Sequence, residues 1–260
     1  MFNFLISKLT HSKTVGSTFI IAGTMIGSGM LAMPLESLSI GLSNSLLLIG
    51  FMAFLMLCAA FIQAELFKYQ KPGVSFATLV AANFGEKYKI IPAIIKCLLF
   101  YSLLASYMTG ASSIIKTTCD GFMGIDSSLF LITTLFACIF GTIISIPINT
   151  MDRLNRIFVS LMFIIFGIIL YLLNSSITYS AAHIAPKEIT FLEVLKTVPI
   201  FFTAFGFHGS IPTLVEYLKQ DQKKIFISFT LGMLVTVSVY CMWQHSIMSM
   251  LEQKNILIEG

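Results

Sequence analysis

The sequence predicts an all-α membrane protein of about seven transmembrane helices, with helices 1 and 6 broken at mid-membrane. Three observations lead there. Hydrophobic residues make up 57% of the chain and charged residues only 11%, against roughly 25% in a soluble domain; mean hydropathy is +0.90. Crossing a bilayer takes about 20 apolar residues, and runs of that order recur at 15–38, 42–66, 90–115, 129–148, 156–174, 194–215 and 225–250. Two of these runs, the first and the sixth, carry clustered glycines and a proline at their centres. Lipid contact alone requires neither.

The first run contains Gly23-Thr24-Met25-Ile26-Gly27-Ser28-Gly29, and Pro34 follows. Glycine weakens a helix interior, and proline removes a backbone donor and kinks the helix. In hydrocarbon the freed backbone groups must find partners inside protein or beside a wet cavity. A break at this depth therefore points to a small-molecule or ion site. Close helix packing through Gly23 and Gly27, which have Gly-xxx-Gly spacing, is the competing explanation. Lys8 and Lys13 precede the run. Its length exceeds the roughly 7–15 residues of a signal-peptide core, so it reads as an uncleaved first span.

The second run ends at Glu65, close enough to Lys68 for an interfacial ion pair. The connection 67–89 carries turn signals at Lys71-Pro72-Gly73 and Asn83-Phe84-Gly85. The third, fourth and fifth runs are continuous. Asp152, Arg153 and Arg156 read as a tight cytoplasmic loop before the fifth, where 157–174 holds no charged residue. The connection 175–193 is too short to be a domain. These short connections predict a single integral membrane domain over 1–260.

Orientation follows the lysines and arginines. Lys8, Lys13, Lys68, Lys71, Lys87, Lys89, Arg153, Arg156, Lys219, Lys223 and Lys224 fall on one side, against Lys116, Lys187, Lys196 and Lys254 on the other. Lys96 lies just inside the third run and snorkels to the first side. The N-terminus is therefore expected in the cytoplasm. A net charge of +4, spread over loops, leaves no nucleic-acid footprint.

The sixth run carries Phe205-Gly206-Phe207-His208-Gly209-Ser210-Ile211-Pro212. An ionisable residue at this depth is costly and faces the bundle interior. His208 is either a neutral imidazole bonded to a backbone carbonyl or a functional group. His11, His183 and His245 are too scattered for a metal site. The five cysteines include no Cys-x-x-Cys pair and read as small hydrophobes.

By the orientation above, the two broken runs cross in opposite directions. An inverted repeat of five spans gives this arrangement, with a first repeat over about 14–175 and the start of a second over about 194–250. The N–H ends of half-helices can hold a carboxylate, and their carbonyl ends an ammonium or cation. Phe205 and Phe207 could pack on an apolar or aromatic side chain. Transport of a small zwitterion is the leading reading.

The stretches 23–34 and 202–212, with Asp152-Arg153-Leu154-Asn155-Arg156, resemble the bacterial aromatic amino acid permeases. The resemblance runs from the first apolar run to the seventh. It implies import of tyrosine or tryptophan across the bacterial inner membrane, driven by a proton gradient and without a cofactor, on the inverted-repeat fold of amino acid symporters. It implies that Gly23, Thr24, Met25, Ile26, Gly27, Ser28 and Gly29 supply the unwound backbone that meets the substrate carboxylate. Phe205, Gly206, Phe207, His208 and Gly209 would supply the partner break, and Tyr107 would face the same cavity. Members of that family have about eleven spans, which leaves the second repeat here with two helices. The expectation is a fragment, a truncated product or one half of a split transporter, with an oligomer or a partner supplying the rest. Some proton-coupled relatives carry a lysine within the fifth span, where this chain has Met162.

Other classes fit less well. At membrane depth there are no paired carboxylates, metal-ligand cluster or Ser/His/Asp arrangement for an enzyme. A retinal protein would need a lysine in its last span, and 225–250 has none. A cytoplasmic N-terminus argues against a seven-helix receptor. A non-transporting permease remnant is the remaining alternative.

Overall fold

Apolar residues follow one another too densely here for strand alternation, and every described regular element is a helix. The computed structural model describes residues 13–71, 73–124, 128–144, 148–176 and 190–259; at 28, 122–123, 144, 148–156, 174, 176 and 252–259 it describes the backbone alone.

The first apolar run becomes two helices, α1 (Lys13–Met25) and α2 (Ser28–Glu36). Gly27 separates them in an extended conformation, φ −161° and ψ −146°, which cannot continue an α-helix. The two axes differ by 48°. α3 (Gly41–Lys68) then runs unbroken for 28 residues. The expected ion pair closes its end, with Lys68 Nζ 3.1 Å from Glu65.

The connection that follows is not simply a turn. It contains α4 (Phe76–Phe84) and a 3-10 turn, Glu86–Lys89. Ser75 caps α4, its hydroxyl accepting the Thr78 N–H at 3.2 Å. Gly73 and Gly85, at φ +81° and +103°, make the flanking turns, so both turn signals act at the ends of a helix too short to span.

α5 (Ile90–Met123), α6 (Leu129–Ile144) and α7 (Ile148–Ser176) follow. Asp152, Arg153 and Arg156, expected in a loop, belong to the first turns of α7. Their side chains lie outside the described residues, as do His11 and His183 altogether. α8 (Phe191–Ala204) starts at a capping box in which Thr190 and Glu193 satisfy each other's backbone N–H. α8 stops before Gly206, where a Cβ would fall 2.9 Å from the Thr203 carbonyl oxygen. A 3-10 turn, His208–Ser210, leads into α9 (Ile211–Tyr217), and α10 (Gln222–Glu259) completes the described chain.

Among the described residues, four helical stretches are long and apolar enough to cross a bilayer: Gly41–Lys68, Glu86–Gly121, Phe191–Tyr217 and Gln222–Leu251. Counting bent α1 and α2 as one span makes five. Leu129–Ile143 and Ile157–Leu173 are apolar but shorter, and they coincide with the fourth and fifth of the seven runs.

The chain forms two compact units. One holds the described residues up to Val74 and those from Leu161 onward; the other is Ser75–Ser160. In the first unit α10 lies along α1 and α3, α2 packs on α8, and α9 packs on α3. Its core includes Ile21, Met33, Ile49, Phe201 and Phe229, all fully buried. Gly232 lets α10 press on α1, since a Cβ there would fall 2.6 Å from Ile21 Cγ2. Lipid tails are as apolar as leucine, so packing and internal hydrogen bonds, rather than escape from water, hold such helices together. One end of this unit is tied by polar contacts: Gly73 N–H to Glu216 at 3.3 Å, Gln220 to the Gln70 carbonyl at 3.0 Å, and Lys13 to the Tyr217 carbonyl at 3.2 Å. In the second unit α5 packs on α4 and α6.

Candidate functional site

The two helix breaks meet. A Cβ built on Gly29, in the first turn of α2, would lie 3.0 Å from Ala204 Cβ and 3.1 Å from Ala204 Cα at the end of α8. Any larger residue there would crowd Ala204, so the glycine favours this close approach of the two backbones. Met25 ends α1 and Ala204 ends α8, so each offers a carbonyl that its own helix leaves free. Both carbonyls converge on the hydroxyl of Tyr240 on α10, Met25 O at 2.6 Å and Ala204 O at 2.8 Å. Tyr240 is fully buried, and its ring meets Phe205 edge-on at 5.2 Å.

The site is polar through its backbone. The carbonyl ends of α1 and α8 carry the negative ends of two helix dipoles. The N-terminal N–H groups of α2 begin three residues after Met25 in the chain and carry the opposite partial charge. Past the second break, Gln63 on α3 donates to the His208 carbonyl at 3.2 Å. Backbone groups of both partial charges thus lie at the two breaks.

The sequence-derived residues are distributed as follows. Met25 and Ile26 are buried; Gly23, Gly27 and Gly29 are half-buried. Thr24 is exposed, and its hydroxyl is bonded to the Ile20 carbonyl at 2.7 Å. The Ser28 side chain lies outside the described residues. Phe205 and Phe207 are both at 0% exposure. Phe205 rests on Tyr240, and Phe207 meets Phe229 edge-on at 5.5 Å, so both rings pack the break from within. Gly206 and Gly209 are exposed and His208 is half-buried. The imidazole of His208 faces the Met56 backbone, and its Nε2 is buried without a partner. Tyr107 lies on α5 in the other unit, exposed within it. Among the described residues no group of three His, Cys, Asp or Glu side chains is placed to hold a metal ion.

The tryptophan/tyrosine permease family matches residues 10–258 of this chain. The chain belongs to that family. It is 35% identical to the tyrosine-specific transport system 1 of Haemophilus influenzae, over 95% of this chain and 60% of that protein. It is 27% identical to a tryptophan-specific transport protein of Pseudomonas aeruginosa, over 89% of this chain and 56% of that one. For the tyrosine permease of Enterobacter agglomerans the identity is 24%, over 92% and 59%. The chain thus spans about three-fifths of the length of these curated relatives. No solved structure matches it. Membership of a permease family, with several long apolar helices, makes this a membrane protein.

Sequence reasoning missed the residue on which the two breaks converge. Tyr240 sits mid-way along the seventh apolar run, four residues before Gln244, which is also fully buried. The Gln244 amide meets the Ser37 hydroxyl. Two polar side chains at i and i+4, on one face of an apolar helix, were the available signal.

Proposed function

We propose that this chain is the part of an aromatic amino acid importer that carries the substrate site. The observation that carries the reading is the convergence of the two breaks, with Gly29 against Ala204 and the carbonyl ends of α1 and α8 on one hydroxyl. Tyrosine or tryptophan would place its carboxylate at the unwound backbone of Gly23 to Gly29 and the N–H end of α2. Its ammonium would lie toward the carbonyl ends of α1 and α8. The break at Phe205 to Gly209 would complete the site. Buried Phe205 and Phe207 would shape the apolar wall from behind. The names of the relatives, tyrosine and tryptophan transport proteins, support this substrate class and a transporter rather than an enzyme.

In this reading α1 with α2 forms one broken span and α8 with α9 another, in a single membrane domain of seven spans. That domain is an inverted repeat whose second half is represented by its first two helices. The protein sits in the bacterial inner membrane with its N-terminus in the cytoplasm. Alternating access then follows from substrate contacts that differ between two arrangements of the broken helices. A proton gradient drives import, with His208 as the ionisable group beside the site.

The test is uptake of labelled tyrosine and tryptophan by a permease-deficient host expressing the chain, with membrane insertion measured in the same cells. Saturable uptake, abolished by a proton uncoupler, is expected. Gly27→Leu and Gly206→Leu should abolish it at unchanged insertion. No uptake from a fully inserted chain would overturn the reading for this chain alone and favour a non-transporting remnant.

A further inference from the structure

We propose that Tyr240 is a positioning residue whose hydroxyl ties the carbonyl end of α1 to the carbonyl end of α8. The two breaks are then held as one unit. The proposal rests on the transport reading for what the tie accomplishes, but the tie itself is a matter of geometry.

Tyr240 Oη lies 2.6 Å from Met25 O and 2.8 Å from Ala204 O, within hydrogen-bond range of both. A phenol has one proton, so the two carbonyls share it. Both acceptors are helix-terminal carbonyls with no partner further along their own helix. Neither α1 nor α8 supplies the donor; it comes from a third helix, α10. The ring is held for this task. It is fully buried and packed edge-on against Phe205, the first residue beyond α8. Eight residues earlier on α10, Gly232 fits against Ile21, which fixes the height of α10 along α1.

A shared proton makes the tie two-state. With α1 and α8 in contact, one hydroxyl serves both ends. Once the two ends separate beyond about 3.5 Å from a common donor, the hydroxyl can follow only one of them. The other carbonyl is then left without its donor. Tyr240 therefore favours the arrangement in which the two breaks are together, and this is the arrangement that forms the substrate-binding backbone.

Tyr240→Phe keeps the ring and removes only the tie. Ser238→Ala is the matched control, because among the described residues the Ser238 hydroxyl bonds only to the Leu234 carbonyl of its own helix, at 2.8 Å. Two measurements on the full chain decide. The first is hydrogen–deuterium exchange of the chain in lipid nanodiscs without substrate. Tyr240→Phe should speed exchange about threefold or more in the segments spanning both breaks, 22–30 and 201–210, with α3 unchanged. Acceleration at one break only, at neither, or throughout the chain would overturn the tie. The second is the concentration dependence of uptake. Half-saturation should rise about tenfold, the loss of roughly one hydrogen bond, while the maximal rate per inserted molecule changes less than about twofold. A fallen maximal rate at unchanged half-saturation would show a merely structural tyrosine and overturn the positioning role. Ser238→Ala should leave both measurements unchanged. If the unsubstituted chain takes up neither amino acid, the transport reading fails, and the exchange comparison still decides the tie.

Discussion

A Cβ on Gly29 would press on Ala204, and one on Gly232 would overlap Ile21 Cγ2 at 2.6 Å and Ile21 Cβ at 2.8 Å. The two glycines have different weight. Gly29 serves the site, because it lets the N-terminal turn of α2 reach the end of α8. Gly232 serves the packing of α10 on α1, away from the breaks. Gly232→Val should therefore destabilise the bundle by roughly 1–3 kcal/mol, the usual range for overpacking a closed contact. Denaturation of the purified chain in mixed micelles would read this. Ile21→Ala in the same chain should restore only part of the loss, since the Ile21 Cβ position would still clash. Full restoration, or no loss in the single variant, would contradict the geometry. Sequence reasoning found Gly29 because it lies in a glycine cluster. It passed over Gly232 because one glycine in a long apolar helix carries no local signal, and its role depends on which helix crosses there.

At the scale of elements, the caps and breaks follow from local chemistry. Asp221 caps α10, its carboxylate accepting the Lys224 backbone N–H at 3.2 Å and pairing with Lys224 Nζ at 2.7 Å. The hydrogen bond from the Lys224 side chain is the main cause that holds the Asp221 carboxyl below the usual carboxylate range. Its folded-state pKa is thus below its unfolded value. The stabilisation it gives is present above the unfolded pKa and is lost as pH falls through the folded one. Asp221→Asn keeps a capping oxygen but cannot ionise. The melting midpoint of the variant should fall less than that of the unsubstituted chain between about pH 6 and pH 3. An identical acid limb in both would show that the pair contributes nothing. The same local logic made the breaks legible: Gly27 cannot continue α1 in its extended conformation, and Gly206 sits under the Thr203 carbonyl. It did not make α4 legible. Phe76–Phe84 is nine residues long, and nothing in its composition distinguishes a short surface helix from an apolar connection.

For the whole molecule, the positive residues predict that the ends of α3 and α9 lie on the cytoplasmic side. Single cysteines would test this in a chain whose own five cysteines are replaced by alanine. Lys71→Cys and Lys219→Cys should react with a membrane-impermeant thiol reagent only after permeabilisation, and Lys196→Cys in intact spheroplasts. The reverse pattern would invert the orientation. By itself the sequence determined the class, the helical content, the family and the position of both breaks. Each of these depends on composition or on residues adjacent in the chain, and hydrocarbon leaves an apolar segment little choice but a helix. Only the tertiary structure decided that the breaks touch, that Phe205 and Phe207 face inward onto Tyr240 and Phe229, and that Tyr240 joins Met25 to Ala204. Those contacts link residues 22 to 215 positions apart. Their free energy depends on which helix faces are brought together, and no stretch of sequence contains that information.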